Sequence, residues 1–150
     1  MRVALLHDTL SSFGPPEKIL FSLSKIFSDS PIYTLLYNEK TLVSIFPKSR
    51  IISYGLEKNP FLRLKHKEKL SLLHGSKIET FDFGGFDIVI SVNSGFSHAA
   101  ITSLNTKHIS YFAVNLENLW NAKNIFNHYT RIWDFYASKR ADTLIANSKH

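Results

Sequence analysis

Short apolar runs alternate with stretches of helical period along the whole chain. Arg2–Leu6 is continuously apolar after its first residue and reads as a strand buried on both faces. Ile19, Leu20, Leu23, Ile26 and Phe27 then recur at three-to-four spacing, which marks the inner face of a helix. Pro31–Leu36 reads as a second strand and Arg50–Ser53 as a weaker third. Phe61–Leu73 is a basic, leucine-rich helical stretch. Asp87–Val92 is the clearest strand, bracketed by Gly84-Gly85 and by Asn93-Ser94-Gly95. His108–Val114 follows as another strand. Ile125, Phe126, Tyr129, Ile132, Trp133, Tyr136 and Arg140 fall on one side of a long helix, and the aromatic stripe from Trp133 to Tyr136 reads as core. Thr143–Ala146 is a last buried strand, and Asn147-Ser148 after it are good helix-capping residues.

Strands buried on both sides and alternating with helices predict an α/β fold: a Rossmann-like, doubly wound, mostly parallel sheet with helices on both faces. In such sheets ligands bind beyond the carboxyl ends of the strands. Chemistry is therefore expected at His7-Asp8-Thr9, at Asn93-Ser94-Gly95 and in the stretch after Val114. Residues 1–150 make one domain, long enough for a single core. A strand and a helix start without the helix itself make the C-terminal edge look truncated, as half of a larger protein.

Composition narrows the chemistry. The chain has no cysteine, which excludes a disulfide framework and a thiolate metal site and fits a cytoplasmic protein. No apolar run approaches the roughly 20 residues needed to cross a bilayer. The net charge of +6 favours anionic partners. Arg63, Lys65, Lys67 and Lys69 crowd one segment, so 61–73 is either a solvated helix face or a peripheral contact with an anionic membrane. No aromatic-and-basic platform or helix-turn-helix pattern supports nucleic-acid binding. The histidines do not pair at i, i+4 and no acidic cluster joins them, so no metal is expected.

Two motifs invite catalytic readings. His7-Asp8 is either a cleft pair or a strand-end histidine held by a turn aspartate. Ser94-Gly95-Phe96-Ser97-His98 offers serines and a base but no complete Gly-x-Ser-x-Gly nucleophile elbow. The loop Asp8–Lys18 leads into the first helix, where backbone N–H groups commonly grip a phosphate.

Several fragments taken in order carry a resemblance: Val3-Ala-Leu-Leu-His-Asp8, Glu17-Lys18, Ile32-Tyr-Thr-Leu-Leu-Tyr37, Phe86-Asp-Ile-Val-Ile-Ser91, Trp133-Asp134 and Ile145-Ala-Asn-Ser148. Their order and spacing resemble the N-terminal domain of GT-B glycosyltransferases of the family-4 (group 1) type, over nearly the whole chain. The resemblance implies the acceptor-side half of an enzyme performing retaining transfer from a nucleotide-sugar to a glycan or lipid-linked acceptor. The donor-binding domain, which carries a paired-glutamate motif, is absent here, so a separate donor-binding domain or chain is implied as partner. It further implies that His7, Asp8, Gly14, Glu17, Lys18, Ser94, His98, Asn115 and Glu117 line the cleft, with no cofactor required.

The sequence departs from that pattern at two places. The first loop usually reads Gly-Gly-Ala-Glu-Lys; here it reads Gly14-Pro15-Pro16-Glu17-Lys18. Proline is comfortable at a helix start but has no N–H to offer a phosphate. Each lost bond to a charged group costs about 1.5–3 kcal/mol. Where relatives read Tyr-Cys-His-Thr-Pro, this chain has Tyr111-Phe-Ala-Val-Asn115. Ala113 takes the place of the cleft histidine, Glu117 that of an arginine and Asn121 that of an aspartate; only Tyr111 and Trp120 persist. The chain alone is therefore expected to be inactive, the alternative being a non-catalytic remnant or a protein- or membrane-binding module.

Overall fold

The computed structural model describes residues 1–56, 74–113 and 125–146. The segment 61–73, the stretch 115–124 with Asn115, Glu117 and Trp120, and the Asn147-Ser148 pair lie outside the described residues.

Six strands form one all-parallel sheet: β1 (Val3–Leu10), β2 (Ile32–Tyr37), β3 (Ile51–Ser53), β4 (Ile88–Asn93), β5 (Lys107–Phe112) and β6 (Thr143–Ala146). The order is β3-β2-β1-β4-β5-β6. The chain winds outward from β1 in one direction and from β4 in the other. The switch falls between β1 and β4, and the carboxyl ends of strands at such a switch are where doubly wound sheets bind ligands.

Alternation along β1 sorts the core. Val3 and Leu5 face helix α1 (Pro15–Ile26), packing with Leu20, Ile90 and Val92, while Ala4 and Leu6 face the other side, with Val89, Ala137 and Trp133. Ala137 and Trp133 belong to helix α3 (Ile125–Ala137), which covers that second face. The same period of two sends His7 toward α1 and Asp8 toward the α3 side. A short helix α2 (Glu39–Leu42) follows β2, and residues 74–78 are helical.

Helix α1 is tied at both ends. Gly14 is its N-cap, Pro15 and Pro16 occupy its first turn, and Glu17 accepts the Gly14 N–H at 2.8 Å. At the other end the Arg50 guanidinium donates to the carbonyls of Ser24 (3.0 Å), Phe27 (2.8 Å) and Ser30 (2.8 Å). A cation on the last carbonyls both satisfies them and opposes the helix dipole.

The parallel α/β architecture agrees with the sequence reading, and four details differ. First, β1 continues to Leu10, so His7 and Asp8 lie inside the strand. Second, Ile26 is exposed and Glu17 is buried instead, because α1 turns its capping carboxylate inward. Third, the aromatic stripe of α3 is split. Thr130, Asp134 and Ala137 are buried and Trp133 packs against the core, but Tyr129, Ile132, Phe135 and Tyr136 are exposed. The inner face of α3 covers a polar patch of the sheet, so its buried side is small and polar. Fourth, β6 is exposed throughout because it is the outer strand on its side of the sheet.

Candidate functional site at the strand switch

His7 is fully buried, with Nδ1 2.7 Å from the Val92 carbonyl oxygen and Nε2 3.2 Å from Glu17 Oε1. A carbonyl can only accept, so Nδ1 carries a proton. An ionised carboxylate can only accept, so Nε2 carries one too. His7 is therefore an imidazolium paired with Glu17. Burial alone would depress its pKa, but the Glu17 hydrogen bond, the charge of Asp8 and the Val92 carbonyl outweigh it and hold the pKa above 6.5. Burial pushes the Glu17 pKa up, but the His7 hydrogen bond and the backbone N–H groups of Glu17 and Gly14 reverse the shift and hold it below 4.5.

Glu17 thereby fills the place a ligand phosphate takes at the start of a first helix. Pro15 and Pro16 have no N–H, and the N–H groups of Gly14 and Glu17 already point to the Glu17 carboxylate. The anion site at this corner is occupied by the protein's own side chain.

Asp8 organises the neighbouring loop. Its Oδ2 accepts the Ser94 N–H (2.8 Å) and the hydroxyls of Ser94 (3.2 Å) and Ser97 (3.3 Å), and its Oδ1 accepts the Phe96 N–H (2.5 Å). A β-carbon on Gly95 would lie 3.3 Å from Asp8 Oδ1, so the loop wraps tightly around the carboxylate. Asn93 completes the wrap: its Oδ1 accepts the Ser97 hydroxyl (2.5 Å) and the His98 N–H (2.6 Å). Ser97 has Asp8, Asn93 and the Val92 carbonyl around its oxygen and no histidine, so it is a structural hydroxyl rather than a nucleophile.

Beneath α3 lies a buried polar patch. Ser91 and Ser110 are register partners on β4 and β5, and their hydroxyls bond at 3.0 Å. Asn93 Nδ2 donates to Ser110 Oγ at 2.5 Å, and His108 Nε2 is 3.0 Å from Ser91 Oγ. Burial, helped by the charge of His98 and opposed by Asp142, lowers the His108 pKa to about 4, so this ring is neutral at pH 7. His98 is fully buried between Phe112 (ring centroids 5.4 Å) and Trp133 (6.3 Å). Its Nε2 lies 2.9 Å from Asp134 Oδ1, within ion-pair distance but off the angle of a hydrogen bond. Glu79 holds α3 from outside this patch, accepting from Trp133 Nε1 at 3.0 Å and from Arg140 at 2.6 Å, while Arg140 also donates to the Ala99 carbonyl at 2.9 Å.

The sequence-predicted residues thus divide. His7, Asp8, Gly14, Glu17, Ser94 and His98 converge on the β1–β4 switch. Lys18 is exposed on α1. Ala113 is partly buried against the α1-side core and donates its N–H to the Asn93 carbonyl at 3.2 Å. Asn93, Ser97, Ser110, His108 and Asp134 belong to the same framework; Asn93 and Ser97 were singled out only as parts of a loop, and the other three were not predicted as site residues. Asp134 sits in the Trp133-Asp134 pair that carried part of the resemblance, and only the register of β4 on β5 reveals the serine pair. Both nitrogens of His7 are engaged, Asp8 accepts four bonds and His98 is enclosed. Both ring nitrogens of His98, His108 Nδ1 and Asp134 Oδ1 are buried without a hydrogen-bond partner, and among the described residues no three ligating side chains gather as a metal site. After β1, Ser11, Ser12 and Phe13 are exposed, and after β4, Ser94 and Gly95 are half-buried. Neither known protein families nor curated proteins nor solved structures give a match to the chain.

Proposed function

We propose that this domain is the acceptor-binding half of a glycosyltransferase that uses a nucleotide-sugar, and that it transfers nothing on its own. The observation that carries the reading is the β1–β4 switch, with the residues of the resembling motifs assembled around it as a rigid frame. His7 and Glu17 fix the first helix against β1. Asp8 and Asn93 fix the loop 94–98, whose half-buried Ser94 and Gly95 are the groups presented to an acceptor. A rigid loop edged by hydroxyls and backbone suits a sugar, which is recognised by many directional hydrogen bonds. The diphosphate of a donor finds no bare N–H at the α1 start, because Glu17 is already there. In this account the donor is held by a second domain or chain.

Amide chemical shifts of the chain, followed during titration with short glycans and with polyprenyl-phosphate-linked sugars, test the proposal. Shifts confined to 11–14 and 94–98 are expected. The reading fails if glycans leave those amides unmoved while nucleotide-sugars move them.

A second reading is a non-catalytic binding module. It is favoured by Ala113, whose methyl replaces the histidine expected in the cleft, and by the hydrogen bonds that already engage His7, Glu17 and Asp8. Glycan binding without turnover, in the presence of a donor-binding partner, would select it.

A further inference from the structure

Helix α3 has two faces of unlike chemistry. The inner face, with Thr130, Asp134 and Ala137, is buried against the polar patch of the sheet. The outer face exposes Tyr129 (61%), Ile132 (46%), Phe135 (50%) and Tyr136 (63%). Positions 129, 132 and 136, with 135 beside them, follow the spacing of one continuous helical stripe. His128 and Arg131 join Ile132, Phe135 and Tyr136 in lining an open groove of about 530 Å³. The Lys139 ammonium sits 4.1 Å from the Phe135 ring centre and 5.7 Å from that of Tyr136.

The charge on this face selects its occupant. Asp134 is the only acid in Ile125–Ala137, and it is buried. Among the described residues, the outer face therefore joins aromatic and aliphatic side chains to basic ones with no negative group among them. A second copy of the chain packed stripe to stripe would set lysine against lysine, with no acid to offset the repulsion. An anionic bilayer meets both halves of the chemistry. Its headgroup region accepts tyrosine and phenylalanine, and its phosphates attract Lys139. The net charge of +6 adds long-range attraction of the same sign. No helix among the described residues is long and apolar enough to cross a membrane. A helix such as α3 can only lie in the interface plane.

We propose that the outer face of α3 is a peripheral docking surface for an anionic phospholipid bilayer, with Tyr129, Ile132, Phe135 and Tyr136 entering the headgroup boundary and Lys139 pairing with lipid phosphate. The proposal does not depend on the glycosyl-transfer reading.

The test is flotation of the full chain with vesicles of phosphatidylcholine, with and without about a third of phosphatidylglycerol. Partition is expected to be about tenfold or more stronger on the anionic vesicles and to fall with salt. Phe135→Ser combined with Tyr136→Ser should weaken it by about tenfold or more, and Lys139→Glu should remove most of the preference for the anionic lipid. These side chains are exposed, so an unchanged circular dichroism spectrum is the control for folding. The chain has no cysteine. A single Tyr129→Cys variant labelled with an environment-sensitive dye therefore reports this face alone, and its emission should shift to the blue on anionic vesicles. The proposal is overturned by no partition onto anionic vesicles, by equal partition onto neutral ones, or by binding that survives the serine pair. A lipid-independent dye shift that follows protein concentration would instead make a second copy the occupant.

Discussion

Glu17 holds His7 and caps the first helix with the same carboxylate: Oε1 lies 3.2 Å from His7 Nε2, and Oε2 accepts the Gly14 N–H at 2.8 Å. Removing it strands a buried imidazolium and uncaps α1 in one step. Glu17→Ala should therefore cost about 2–4 kcal/mol of stability, since breaking one side of a buried pair leaves its partner charged and unpaired. Glu17→Gln has one acceptor oxygen where the carboxylate has two, so it keeps the Gly14 cap only by turning its NH2 to a His7 that has given up its Nε2 proton, and should cost about 1–2 kcal/mol. Urea denaturation of the two variants checks both values.

The stability of the chain should pass through a maximum as pH is varied, for reasons of opposite sign at two histidines. His7 has a raised pKa in the fold. Its contribution is complete below the unfolded value of about 6.5 and is lost as pH rises through the higher folded value. His108 is lowered to about 4 by burial, with His98 adding to the shift. Between about 4 and 6.5 the unfolded chain binds a proton there that the folded chain does not, so stability rises with pH across that window. Glu17, lowered in the fold, adds to the loss at the acid end as pH falls through its folded value. Unfolding free energies measured from pH 4 to 9 should peak near neutrality. His108→Asn should flatten the acid limb and His7→Gln the alkaline one.

Asp8 should prove structural in the first place. Asp8→Ala leaves the N–H groups of Ser94 and Phe96 without their acceptor. An expected loss of about 2–4 kcal/mol follows from stranding buried donors. Amide hydrogen exchange at 94–97 should accelerate more than elsewhere. Uniform acceleration across the sheet would mean that Asp8 supports the whole fold rather than the loop.

Gly75 tests the seat of Trp133. A β-carbon there would run into the Trp133 ring. Glycine to alanine within a helix normally stabilises by about 1 kcal/mol. Here the clash should reverse the sign, and Gly75→Ala should destabilise by about 1–3 kcal/mol. A stabilising result in thermal denaturation would show that the ring moves aside freely.

Much of the fold was legible in the sequence because doubly buried strands write themselves as unbroken apolar runs. Val3–Leu6, Ile32–Leu36 and Ile88–Ile90 could hardly be anything else. The loops at the carboxyl ends of β1 and β4 were legible too, since each follows an apolar run, but the neighbouring of these two strands was not. What remained hidden depends on neighbours. Ser91, Asn93, His108 and Ser110 look like interruptions of strands, and only the parallel register shows that they satisfy one another. Tyr129, Ile132 and Tyr136 have the spacing of a core face, yet α3 turns Thr130, Asp134 and Ala137 inward, because the sheet beneath it is polar. Leu144 and Ile145 have the composition of a buried strand but sit on the outer strand of the sheet. Glu17 was recognised by its place in a motif. That it takes the phosphate's place could be seen only from its two hydrogen bonds.

The most direct measurement is calorimetric titration of the unmodified chain with UDP- and GDP-sugars at neutral pH. The anion position at the α1 start is taken by Glu17, and Pro15 and Pro16 leave no further N–H. No resolvable heat at micromolar ligand and no product in a parallel transfer assay are therefore expected. Micromolar binding, or turnover above the uncatalysed rate without a second domain, would contradict it.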